Sequence, residues 1–158
     1  MPENIEFKNA ASTASLIVTK NGEGLYLVKR KHNPFKGMWA LPGGFLNCDE
    51  ESLEEAAIRE LKEETSLSTT IEELLLIGVY SDPQRDPRGH VIDHVYLVLD
   101  YHGKPQAKDD AEEIKYFEYN NLPEVAFDHK KSIDKYFNHF HMFGEKIKKI
   151  LFNNNIEK

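Results

Sequence analysis

The sequence is short of cysteine: among 158 residues there is one, Cys48. No internal disulfide can form. The lone thiol fits a reducing compartment, and Asp49, Glu50 and Glu51 beside it disfavour the thiolate that a nucleophile needs. Positive charge is also scarce, with 20 Lys and Arg against 27 Asp and Glu and a net charge of −7. Broad binding to nucleic-acid backbones or anionic membranes demands clustered positive charge, so both are disfavoured. A small phosphorylated substrate held by a few arginines is not. No apolar run is long enough to span a bilayer. The N-terminal MPENIEFKNAAS lacks the basic stretch and apolar run of a signal peptide. A cytoplasmic location is the default expectation. The histidines, at 32, 90, 94, 102, 129, 139 and 141, make no tight ligand spacing with cysteine, which speaks against a zinc site. Repeats and linkers are absent, and the length predicts one domain over 1–158.

What is present begins with alternating strands and turns. Ala14–Val18 reads as a buried strand. Asn21-Gly22-Glu23-Gly24 reads as a turn, and Leu25–Arg30 as the second arm of a hairpin. The second half of Ile71–Tyr80, then Val91–Asp100 and Ile114–Tyr119, are further strands. Pro, Asp and Arg make Ser81–Gly89 a loop. From about 128 to 152 apolar residues recur at helical spacing, with a break expected at Gly144 and a frayed tail over Asn153–Lys158. This C-terminal face is expected to pack on the core or to form a dimer. Strands flanked by helices in this way predict an α/β/α sandwich around a mixed sheet.

The densest chemistry lies in Leu41–Leu67, LPGGFLNCDEESLEEAAIRELKEETSL. The helix is expected to start near Glu51-Ser52, with Leu53, Ala56, Ala57 and Leu61 facing a core and the glutamates facing away. Glu60, Glu63 and Glu64 fall at i, i+3 and i+4, which puts three carboxylates on one helical face. Like charges so placed repel unless neutralised. A hard divalent cation with oxygen ligands would neutralise them, and the Gly43-Gly44 turn lets backbone approach the same place. An ordinary solvated helix, with Glu55–Arg59 and Arg59–Glu63 pairs, is the plainer reading of the acidic segment alone.

The whole stretch resembles the Nudix box, Gly-x5-Glu-x7-Arg-Glu-aliphatic-x-Glu-Glu-x-Gly-aliphatic. Arg59-Glu60-Leu61-Lys62-Glu63-Glu64-Thr65-Ser66-Leu67 matches its end. Two departures stand out. One residue is inserted in the turn Phe45–Glu50, which leaves Glu50 and Glu51 as rivals for the box glutamate, and Ser66 replaces the final Gly. The resemblance implies a Nudix-type α/β/α sandwich and hydrolysis of a nucleoside diphosphate linked to another moiety. It also implies Mg²⁺, with Mn²⁺ as a substitute, held by Glu60, Glu63, Glu64 and the carbonyl of Gly43. Arg59 would organise these carboxylates through a charged hydrogen bond to the box glutamate.

Three further segments resemble the ADP-ribose pyrophosphatase branch: Gly78–Val91 with its DPQRDPRG loop, Asp109–Ile114, and Leu122–His129. The implied reaction is ADP-ribose plus water giving AMP and ribose 5-phosphate. Arg85 and Arg88 are candidates for phosphate or ribose oxygens, or for local pairing with Asp82 and Asp86. Arg30 is a candidate for the terminal phosphate, or a strand-end surface arginine. Phe35 and Trp39 are candidates for stacking adenine, with Trp39 the more structural. In the acidic cluster 109–113, Glu113 and Asp110 are the candidates for the general base. The alternatives are a Nudix hydrolase of another nucleoside diphosphate derivative or of an oxidised nucleoside triphosphate, and a non-catalytic ADP-ribose sensor. Members of this branch are often homodimers.

Overall fold

The computed structural model describes residues 8–153, apart from a few side chains after Phe143. The tail 154–158 therefore lies outside the described residues. A long strand, β1 (Ala11–Lys20), organises the sheet. It pairs in parallel along its length with β6 (Val91–Val98), and antiparallel near its end with β2 (Gly24–Arg30). The short β4 (Gly43–Phe45) lies against Thr13–Ser15 of β1. The other pairs are β2 with β3 (Trp39–Ala40), β2 with β7 (Ala111–Glu118), and β6 with β5 (Leu74–Tyr80). The predicted hairpin turns at Asn21–Glu23.

Strand alternation divides the core in two. Ala14, Leu16 and Val18 of β1 join Tyr96 and Val98 of β6 against Ala56, Ala57 and Leu61 of α1 (Leu53–Thr65). On the other face Ile17, Val95 and Leu97 meet Ile133 and Tyr136. Ile133 belongs to α2 (His129–Lys135), and Tyr136 opens a π-helical turn, Tyr136–Phe140, that leads into α3 (His141–Asn153). Helices thus cover both faces of a mixed sheet, as the sequence predicts. The irregularity in the C-terminal helix falls at Tyr136–Phe140 rather than at Gly144. Among the described residues no helix is long and apolar enough to cross a membrane.

Helix α1 starts where its sequence says it should. Ser52 caps it, accepting from Glu55 N, while the Glu55 carboxylate accepts from Ser52 N. Glu55 is therefore engaged in the cap, and the expected Glu55–Arg59 pair is not made. At the other end Ser66 takes the left-handed conformation, φ 66° and ψ 2°, that the missing glycine would adopt without strain.

Candidate active site

The glycine turn is placed by its neighbours. A Cβ on Gly43 would lie 2.2 Å from the Ala14 carbonyl oxygen, and one on Gly44 would lie 2.3 Å from Glu60 Oε1. Gly43 is therefore held to bare backbone against β1, and a side chain at Gly44 would displace the Glu60 carboxylate. Gly43 N donates to Glu64 Oε2 at 2.9 Å, which ties the turn to the helix.

Arg59 gathers the carboxylates. Its Nε and Nη2 fork onto Glu51 at 2.9 and 2.6 Å, Nη1 donates to Glu60 and Glu63, and Nη2 also reaches the Phe45 carbonyl. This settles the rivalry at the inserted residue. Glu51 takes the box-glutamate place and also accepts from Asn47 N, while Glu50 is exposed. The Arg59 fork holds the Glu51 carboxyl below its ordinary range.

The glutamates do not all face away from the core. Glu64 is 8 % exposed, and burial pushes its carboxyl up to about 8 against the opposing Gly43 N–H bond. Glu60 is shifted up by burial too, against the pull of Arg59. Glu63 is solvent-exposed beside them, held by Arg59. A buried carboxylate beside a second one is a donor set that a hard cation would satisfy. Glu60, Glu64 and the Gly43 backbone therefore fit the divalent ion that the sequence implies.

Gly43, Glu60 and Glu64 line a cleft of about 260 Å³ together with Arg30, Arg85, Asp86, Arg88, Asp110 and Phe127. Arg30 Nε donates to the Pro34 carbonyl at 2.7 Å, and its guanidinium sits 4.9 Å over the Phe127 ring. Arg88 lies over Phe45 and Phe127 and is forked by Asp86. Burial first and the nearby Arg88 second lower the Arg30 pKa, which marks two cations sharing one space.

Some expected residues fall elsewhere. Arg85 lines the cleft, but its side chain is buried, with Nε and Nη2 committed to Asp128 and Nη2 also 3.5 Å from Asp93. The local pairing proposed for both arginines is made by Arg88 alone. Phe35 is not in the cleft lining; its ring packs edge-on against Phe127, which does line the cleft. Trp39 packs on Phe117. Glu113 faces Lys29 across β2 and β7 and is exposed. Val28 and Arg30 line the cleft, so the intervening Lys29 and its partner point to the opposite side. Of the two candidate bases only Asp110 reaches the site.

Sequence reasoning missed Phe127, Asp86, Asp93 and His129. Asp93 is buried and accepts from Thr13 Oγ1 and Ser15 Oγ at 2.8 and 2.9 Å. Its odd position among the apolar residues of β6, which alternate Val91, Val95 and Leu97, is the one signal that could have found it. Away from the cleft, Glu73, Asp100 and His102 bring their ligand atoms within 4.8 Å of one another. One Glu73 oxygen there already accepts from Thr69 and Thr70.

A mixed sheet between helices, with buried carboxylates and arginines lining one cleft, is an arrangement suited to a divalent ion and a phosphorylated ligand. The NUDIX domain model matches residues 9–139, and the chain belongs to the Nudix family. It is 52% identical over 120 residues to an ADP-ribose pyrophosphatase of Methanocaldococcus jannaschii, covering 76% of this chain and 69% of that protein. Among solved structures it resembles a bifunctional NMN adenylyltransferase/ADP ribose pyrophosphatase of Francisella tularensis, complexed with AMP and a manganese ion. That match has 34% identity and a TM-score of 0.73, over 84% of this chain and 42% of that one. It also resembles the NUDIX domain of Shewanella oneidensis NrtR, complexed with ADP ribose. Here the identity is 29% and the TM-score 0.70, over 82% of this chain and 87% of that one.

Proposed function

We propose that this protein is a Mg²⁺-dependent Nudix pyrophosphohydrolase that converts ADP-ribose and water to AMP and ribose 5-phosphate. One observation carries the reading: Glu60, Glu64 and Asp110 share the lining of a single cleft with Arg30 and Arg88. Glu60, Glu64 and the Gly43 carbonyl would hold divalent metal, which would activate water and offset charge on the phosphate oxygens. Arg30 and Arg88 bind and orient the diphosphate. Asp110, exposed at the rim, accepts the proton of the attacking water. The new bond joins that water oxygen to one phosphorus as the anhydride oxygen leaves on the other. Arg59 keeps the glutamates in place and does not react. The substrate named for the Methanocaldococcus relative supports ADP-ribose, and the manganese in the Francisella structure supports a divalent ion.

Exposed Met142 and Phe143 at the start of α3 support a homodimer, which sedimentation velocity would test. A cytoplasmic location remains part of the proposal. The main test is hydrolysis of ADP-ribose, NADH, a diadenosine polyphosphate and an oxidised dGTP, each with Mg²⁺ and with EDTA. AMP and ribose 5-phosphate from ADP-ribose, lost in EDTA, are expected. Preferred turnover of another compound would refute the substrate, and ADP-ribose binding without turnover of any compound would favour a sensor.

A further inference from the structure

We propose that His129 is a positioning residue that sets the metal-binding turn by accepting a hydrogen bond from the Leu41 backbone. The inference rests on the reading of Glu60, Glu64 and Gly43 as the metal site.

The geometry is specific. His129 is buried, and its Nδ1 lies 3.1 Å from Leu41 N. A backbone N–H can only donate, so Nδ1 must be unprotonated and the ring proton must sit on Nε2. That nitrogen lies 3.8 Å from Asp93 Oδ2, which favours a proton on that side. Burial lowers the pKa of the ring, in keeping with a neutral imidazole. Two residues beside the ring are themselves anchored. Asp128, the residue before it, is forked by Arg85, and Asp93 is anchored by Thr13 and Ser15 on β1.

Leu41 stands two residues before Gly43, and Pro42 between them has no N–H to give. The turn is therefore fixed at three successive points by three different elements. His129 of α2 takes the Leu41 N–H, Leu16 of β1 donates to the Pro42 carbonyl, and Glu64 of α1 takes the Gly43 N–H. Leu41 itself is buried, so its N–H has no solvent to fall back on if the ring is lost. A free Leu41 would let the turn swing, and with it the backbone and carboxylate that hold metal. Residues that hold a metal site from outside change affinity without touching the ion.

The test compares His129→Leu, which has no acceptor, with His129→Asn, whose Oδ1 occupies about the Nδ1 position. Mn²⁺ binding to the substrate-free protein is followed by the loss of free-ion electron paramagnetic resonance signal, with Glu64→Gln as reference. The expected result is Mn²⁺ affinity weakened roughly tenfold in His129→Leu and restored toward wild type in His129→Asn. Wild-type affinity in folded His129→Leu, with Glu64→Gln weakened, overturns the positioning role alone. Wild-type affinity in Glu64→Gln overturns the metal reading, and this inference with it. A measurement on the wild-type protein stands apart from any folding defect: the ring ¹⁵N shifts should show a protonated Nε2 and a bare Nδ1. A proton on Nδ1 overturns the proposal.

Discussion

Replacing Glu64 with Gln should make the metal-free protein more stable at pH 8, although it removes a proposed metal ligand. The Glu64 carboxyl is raised from 4.5 to about 8, with burial the largest cause and Glu60 and Asp110 adding to it. Below the unfolded value the group is neutral in both states and costs nothing. As pH rises from 4.5 toward 8, the unfolded chain ionises freely while the folded one resists. Stability contributed by the group is thus lost over that window, by about 1.4 kcal/mol per pH unit. The total at pH 8 is on the order of 4 kcal/mol as an upper bound. At about 2–4 °C per kcal/mol for a chain of this size, that is a Tm difference on the order of 10 °C. The Gln amide carries no such penalty, and its oxygen still accepts the Gly43 N–H. Thermal unfolding of both proteins in EDTA from pH 5 to 8 checks this, since the difference between their slopes cancels every other titrating group. With Mg²⁺ at about 100 times its Kd, the wild type should regain about 2.7 kcal/mol and the variant much less. Parallel pH slopes in EDTA would refute the argument that Glu64 is a buried carboxyl awaiting a cation.

Gly44→Ala should cut kcat roughly 10- to 100-fold by displacing Glu60, whose Oε1 would lie 2.3 Å from the new Cβ, and steady-state kinetics with a Mg²⁺ titration reads it. Glu51→Gln should lower kcat about tenfold or more by loosening Arg59, whereas Glu50→Gln should behave as wild type; equal effects would undo the assignment of the box glutamate. Ser66→Gly should raise stability by about 1 kcal/mol or less in a denaturant titration without changing kcat, because glycine relieves the left-handed strain. Arg88→Ala should raise the KM for ADP-ribose more than it lowers kcat, as expected for a side chain that contributes uniform binding.

Much of this protein was legible in local spacing. Helix α1, its start near Ser52 and its carboxylate face depend on residues within one or two turns of each other, and periodicity reports such contacts directly. The pattern of apolar residues likewise gave five of the strands and both helical layers, but not the short β3 and β4. Tertiary structure decided what spacing leaves open. Two adjacent glutamates are equivalent in sequence, and only the reach of Arg59 selects Glu51. Asp110 and Glu113 share one acidic cluster, but Asp110 precedes β7 and lines the cleft, whereas Glu113 lies within β7 opposite Lys29. Arg85 and Arg88 look alike in their loop, but Asp128, 43 positions away, claims the first. His129 reaches Leu41 across 88 residues. Sequence determined the chemistry that neighbours along a helix or strand can assemble. Only folding decided which carboxylates are buried, because desolvation depends on what packs over a group and not on what precedes it.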